Sequence, residues 1–265
     1  MSILPLSPLT PMLRKLQRWA ALSDPDRAAL LDLPHKIRHL APNQFIVHEG
    51  EKAGYSCVLL SGFAVRHKVA GNGGRQILSL HMAGDLVDLQ NSLLDVADHN
   101  VQAIGRVEAA YIPVEAITAL AADHPAVGRA MWRETLVEGS IFRESLLNLG
   151  RRDARARTAH FLCEMALRLE AAGLAVRERF ELPVTQEQMG DMLGLTSVHV
   201  NRTLQSLGAD GIIDRRQRDV AIHDWDRLAK TGDFDPAYLH LGGAVPAQTG
   251  AAALYGRETV RPDAA

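Results

Sequence analysis

The sequence predicts an α+β chain: an antiparallel β-roll, a long central helix, and a small helical domain closed by a β-hairpin. Three observations carry that expectation. Short apolar runs separated by glycine turns fill residues 42–115. One helical pattern runs unbroken over 125–149. A helix, a glycine turn and a second helix follow one another at 185–207. The chain has 265 residues and 47% hydrophobic content. That suffices for two domains with real cores and is too apolar for a disordered chain.

In the roll, FIVHEG (45–50), YSCVLLSG (55–62), FAVRHKV (63–69), RQILSLHMAGD (75–85) and NVQAIGRVEAAYIP (100–113) read as strands. The alternation in AVRHKV and VQAIGRVEA supports this. Gly71-Asn72-Gly73-Gly74 reads as a hairpin turn, because those residues adopt positive φ at little cost. Residues 12–40 read as helical, with Asp24 as a cap and Pro25 as the first helical residue.

The central helix carries a stripe of Trp132, Leu136, Gly139, Phe142, Leu146 and Leu149, at spacings of 4, 3, 3, 4 and 3. Charged residues flank it. So narrow a stripe is expected to pair with a second copy of the same helix, with burial against the chain's own roll as the alternative. Gly150 is expected to end the helix. The domains are then 1–124, the roll with its N-terminal helices; 125–150, the central helix; and 151–235, the second domain. No element is expected in the Gly/Ala-rich tail, 236–265.

The stretch VTQEQMGDMLGLTSVHVNRTL has the richest pattern. Thr185 and Gln188 form a capping box for the first helix, and Gly194 suits a left-handed turn. Gly190 leaves room for a crossing helix. Thr196 caps the second helix, whose inner face is Val200, Thr203, Leu204 and Leu207. This is a helix-turn-helix pattern. The outward face shows Ser197, Val198, His199, Asn201 and Arg202. Arginine can bind guanine bidentately, asparagine can pair with adenine, and valine can touch a thymine methyl. The hairpin that follows resembles a wing, with Arg215, Arg216 and Arg218 at its tip to meet phosphates.

Taken in order, these elements resemble the cAMP receptor protein and Fnr family of bacterial transcription regulators over residues ~15–235. The glycine turns Glu49-Gly50, Ser61-Gly62, Gly74 and Gly84-Asp85 share in the likeness. The resemblance implies a cyclic-nucleotide-binding-like jelly roll, a homodimer joined by the central helices, and a winged helix-turn-helix on a near-palindromic operator of double-stranded DNA. It implies base contacts from Ser197, Val198, Asn201 and Arg202, with Thr185, Gln186, Thr196 and His199 beside them, and RNA polymerase as a further partner. Val198 stands where a glutamate is common and cannot accept a hydrogen bond from cytosine N4, so the familiar TGTGA-like or TTGAT-like half-sites need not apply. The effector pocket would lie near Gly84, Asp85, Leu86, Leu89 and His99. The usual phosphate-binding glutamate and arginine are replaced by Leu89 and about Ala97, and no arginine lies between Arg75 and Arg106. Capture of cAMP by the usual mode is therefore not expected.

Other classes fit less well. The two cysteines, Cys57 and Cys163, cannot form an Fnr-type cluster. His67, His81 and His99 lie on or near strands without metal-ligand spacing. No cofactor is expected, the effector stays open, and no catalytic motif marks an enzyme. A ligand-binding module acting through protein partners and a cupin-like metalloprotein are the alternatives. The N-terminus lacks a signal-peptide pattern and no stretch reads as a membrane span, so a cytoplasmic protein is expected. Charge alone argues against DNA: the net is -2, and residues 151–235 hold 13 Lys and Arg against 14 Asp and Glu. The arginines are clustered, however: Arg151, Arg152, Arg155 and Arg157 form one group and the wing another. Local phosphate contacts need only such clusters.

Overall fold

The computed structural model describes residues 7–52 and 54–242. The N-terminal segment forms α1 (Thr10–Leu16) and α2 (Asp24–Leu31). It does not stay helical to residue 40, because Lys36–Leu40 is a strand, β1. This edge strand has four exposed residues out of five, so it lacks the apolar alternation by which strands are read. Ser23, not Asp24, caps α2, forming a capping box with Asp26.

The roll strands are β2 (Phe45–Val47), β3 (Tyr55–Ser61), β4 (Ala64–Val69), β5 (Arg75–His81), β6 (Asn100–Ala103) and β7 (Val107–Pro113). They make two antiparallel sheets, β1-β7-β3 and β2-β6-β4-β5. The 71–74 hairpin joins β4 to β5, with Gly73 at φ +83°. Between the sheets lie Leu59, Val101, Ala103 and Ala109, all fully buried. Asp88 is buried with them. One carboxylate oxygen accepts the Cys57 N–H at 2.6 Å and the Ser56 hydroxyl at 3.2 Å, while the other has no partner. Burial pushes this carboxyl up to about 6.

Next come α3 (Val114–Asp123), α4 (Pro125–Arg151) and α5 (Ala154–Ala171). Gly150 does not end α4. The helix runs through it to Arg151, and Asp153 caps α5 by accepting the Ala156 N–H. The second half then forms β8 (Arg179–Glu181), α6 (Gln186–Leu193), α7 (Ser197–Ala209), β9 (Ile213–Arg216), β10 (Asp219–Ile222) and α8 (Trp225–Thr231). The wing is a three-stranded sheet, β8-β10-β9, one strand more than its sequence suggests. A 3₁₀ turn, Pro236–Leu239, stands inside the tail where no element was expected, and residues 243–265 of that tail lie outside the described residues.

The core of the second half does not stop at its own boundary. Phe161, Leu162, Met189 and Leu193 share one buried cluster with Val65, Ile77, Leu80 and Met82 of the roll. Polar contacts line the same junction: Arg75 bonds Asp191 at 2.7 Å, and Gln76 donates to the Met192 carbonyl at 3.1 Å.

Two predictions follow from this packing. A carboxyl whose folded pKa is raised stabilises the native state most below pH 4 and loses that contribution as pH rises through 6. In urea unfolding, the stability difference between wild type and Asp88→Asn is therefore expected to change by up to about 3 kcal/mol between pH 4 and 7. At Gly190, a Cβ would stand 2.4 Å from the Leu195 carbonyl oxygen. Gly190→Ala is expected to cost about 1–3 kcal/mol in the same assay, because the α6–α7 crossing must open.

Candidate nucleic-acid interface

The helix-turn-helix is built as its sequence indicates. The Thr185 hydroxyl oxygen accepts the Gln188 N–H at 3.2 Å, and the Gln188 side chain accepts the Thr185 N–H at 2.8 Å. Gly194 takes the left-handed turn at φ +62°. Thr196 caps α7 by accepting the His199 N–H at 3.2 Å. Val200, Thr203, Leu204 and Leu207 are buried beneath it. Ser197, Val198, His199, Asn201 and Arg202 are all exposed on one side of the helix. Gln186 donates to the Asn201 side-chain oxygen at 3.2 Å, so the first helix helps to orient this residue of the second.

The wing lies beside that helix. Gln217, at φ +56°, makes the hairpin turn with Arg218. Arg216 and Arg218 are exposed near the tip. Arg215 is not at the tip. It is half-buried one step back, its Nε without a partner, and desolvation lowers its pKa. It lines an open cleft of about 730 Å³ between α7 and the wing, with Gln186, Asn201 and Gln205. The other arginine cluster is largely committed elsewhere. Arg152 bonds Glu144 and Asp233, Arg155 bonds Ser206 and Asp210, and Arg157 donates to the carbonyls of Arg152 and Leu193. These three side chains hold the domain together and are not a free phosphate-binding patch.

On α4, Val127, Ala130, Met131 and Val137 are buried against the chain's own N-terminal core. The other side of the helix is open. Trp132 is 68%, Leu136 56% and Leu146 72% exposed. Phe142 and Leu149 of the same stripe are half-buried, with Leu149 leaning on the turn at Gly194. Gly139 sits between Leu136 and Phe142 in the stripe, without crowding from other elements.

Of the five residues expected around an effector, Asp85 and Leu86 share one cavity, Leu86 and Leu89 share the N-terminal core, and Gly84 and His99 make contacts of their own. Gly84, at φ +94°, presses against α1, where a Cβ would stand 2.7 Å from the Pro11 carbonyl oxygen. Asp85 pairs with Lys15 and accepts the Met82 N–H. Burial opposes its ionisation, yet Lys15 and His81 hold its carboxyl well below the usual range. Asp85 and Leu86 line a cavity of about 80 Å³ bounded by α1, α4 and α5. Leu89 opens a 3₁₀ turn, Leu89–Ser92, and packs on the N-terminal core. His99 is buried, bonded to Asp98 at 2.6 Å and to Gln90 at 3.1 Å.

One cation beside this segment has no local signal in the sequence. Arg66 comes from β4, across a β-bulge at Arg66–His67, and donates to the Val87 carbonyl at 2.6 Å. Its other arm is spent on Glu138 of α4. A search for arginines along 84–103 cannot find it. Cys57 and Cys163 are buried, and burial pushes the Cys163 thiol up to about 12, so neither is a ready nucleophile. Among the described residues no group of three His, Cys, Asp or Glu is placed to hold a metal, and no helix is long and apolar enough to cross a membrane.

Comparison with known proteins agrees with this architecture. Residues 37–124 match the model of the cyclic nucleotide-binding domain, and residues 156–231 match that of the Crp-like helix-turn-helix domain. The transcriptional activator protein FnrL of Cereibacter sphaeroides is 28% identical over 221 residues, covering 81% of this chain and 88% of the relative. The transcriptional activator protein Anr of Pseudomonas aeruginosa is 24% identical over 204 residues, covering 77% and 83%. The structure of FixK2 from Bradyrhizobium japonicum superposes with a TM-score of 0.69 at 28% identity, covering 75% of this chain and 98% of FixK2. A CooA mutant from Carboxydothermus hydrogenoformans shares the fold at a TM-score of 0.63 and 20% identity, covering 75% and 88%. With a cyclic nucleotide-binding-type roll, a long helix and a winged helix-turn-helix in this order, the chain belongs to the Crp-Fnr family of transcription regulators.

Proposed function

We propose that the protein acts as a homodimer whose two α7 helices enter successive major grooves of a near-palindromic operator. The observation that carries this reading is the solvent-facing row Ser197, Val198, Asn201 and Arg202 on a helix whose opposite side is fully buried. A helix so mounted presents its first turns to base edges. Arg202 reads guanine, Asn201 reads adenine from the orientation set by Gln186, and Val198 meets a thymine methyl. Thr185, Gln186, Thr196 and the exposed wing arginines Arg216 and Arg218 meet phosphates, with Arg215 behind them in the cleft.

The open stripe on α4 supports the dimer. Trp132, Leu136 and Leu146 would otherwise leave a row of large apolar side chains in water. Pairing the stripe about a two-fold axis sets the recognition helices ~34–36 Å apart. The roll of this reading takes no cAMP by the usual mode. Leu89 is turned into the core, and Arg66, the nearby cation, is committed to Glu138. In this reading the protein acts in the cytoplasm and meets RNA polymerase at the promoter, with no resident cofactor.

Each part has its own test. In gel shifts on the protein's own upstream DNA, Arg202→Ala is expected to cost about 1–3 kcal/mol and to relax preference at one base pair of each half-site. Arg218→Ala is expected to weaken binding to all sequences alike and to flatten the salt slope by about 1 per protomer. Equal, weak binding of wild type and Arg202→Ala to every DNA contradicts the assignment. Trp132→Glu combined with Leu146→Glu is expected to give monomers by sedimentation, while circular dichroism stays that of the wild type.

A further inference from the structure

Residues 232–241 begin where the match to the Crp-like helix-turn-helix domain stops, at residue 231. They do not trail away from the fold. Gly232 is pressed so tightly on α5 that a Cβ there would stand 2.6 Å from the His160 nitrogen. Its carbonyl accepts from His160 Nδ1 at 3.1 Å. The Tyr238 hydroxyl lies 3.0 Å from His160 Nε2 and donates to Glu164 at 2.8 Å. The neighbouring Leu239 is 2% exposed. Leu239 and Leu241 line one cavity with Trp19 of the N-terminal segment and Val137 and Ile141 of α4. His240 reaches Ser140 of α4 at 3.4 Å, and Asp233 bonds Arg152 at the α4–α5 joint. The segment thus spans the joint about which the DNA-binding half would turn.

The contacts also continue into the roll. Glu164 accepts from Arg168 at 3.1 Å, and Arg168 donates to the Leu80 carbonyl of β5 at 2.6 Å. One unbroken chain of hydrogen bonds therefore runs from the C-terminal segment through α5 to the sensor sheet. The recognition face of α7 stays uncovered in this arrangement.

We infer that residues 232–241 are a strap that locks the winged helix-turn-helix onto β5 and α4 in the orientation that binds the operator. The Tyr238 hydroxyl is its coupling point to the sensor. Loosening the strap frees the domain about the joint, and operator binding must then restore the lost order. The inference rests on the DNA-binding reading only for its second readout.

The test uses the full chain, a Tyr238→Phe variant, and a chain ending at Phe234. Hydrogen exchange is followed on amides of β5 and α5, and affinity is measured on the operator and on unrelated DNA. Expected in both variants are faster exchange around Leu80 and residues 160–168, and operator affinity lowered ~5-fold or more, the low end of allosteric coupling. Affinity for unrelated DNA stays unchanged. Should the shortened chain fail to fold, Tyr238→Phe decides alone. Unchanged exchange overturns the strap, and tighter operator binding by the variants overturns the binding-competent orientation. A wild type without sequence preference defeats the DNA reading instead, and leaves the exchange result to judge the strap.

Discussion

β5 belongs by its backbone to the roll and by its apolar side chains to the core of the second half, and the arrangement of the whole chain depends on that double membership. Within the roll it pairs with β4 along its full length. Its Ile77 and Leu80 are simultaneously part of the core beneath the helix-turn-helix. A strand that buries apolar side chains against a neighbouring domain cannot be uncovered without cost, at roughly 25 cal/mol for each Å² exposed. Sensor and reading head are therefore one packed body in this state. Arg168, reaching the Leu80 carbonyl while held by Glu164, adds a charged hydrogen bond to that junction.

The charge distribution has the same logic. A near-neutral domain is not an obvious partner for a polyanion, yet its arginines are divided by task. Arg152, Arg157 and Arg168 satisfy carboxylates and carbonyls where the domain meets α4 and the roll, and Arg155 ties α5 to Ser206 and Asp210 at α7. Arg202, Arg216 and Arg218 remain exposed. Acidic residues offset the internal group, so the net charge says little about the reading surface. In the proposed reading the exposed arginines are few, so the salt-dependent background is modest and discrimination rests on base contacts and on the spacing of two heads.

Much of the helix-turn-helix was legible because its rules are local. A capping box needs only Thr185 and Gln188, a left-handed turn needs Gly194, and a crossing needs Gly190. All three appear where the spacing puts them. The roll's strands and its 71–74 hairpin were legible for a similar reason. β1 was not, since an edge strand exposed on both faces carries no alternation. α4 runs past the stop that Gly150 suggests, because glycine inside a helix costs only ~1 kcal/mol and the tertiary contacts of a 27-residue helix outweigh it. The wing's third strand and the 3₁₀ turn Pro236–Leu239 carry no such local signal; β8 is three residues long and the turn four, too short for any periodicity to register.

By itself, the sequence determined the order of the elements, the caps and turns of the reading head, and the outward residues of α7. Each follows from contacts between residues a few positions apart. The tertiary structure alone decided which arginines are exposed, that Arg66 reaches the Val87 carbonyl from another strand, and that the C-terminal segment returns to α4 and α5. Those outcomes depend on side chains far apart in the chain competing for the same partners. Such competition is settled only once packing has set the distances.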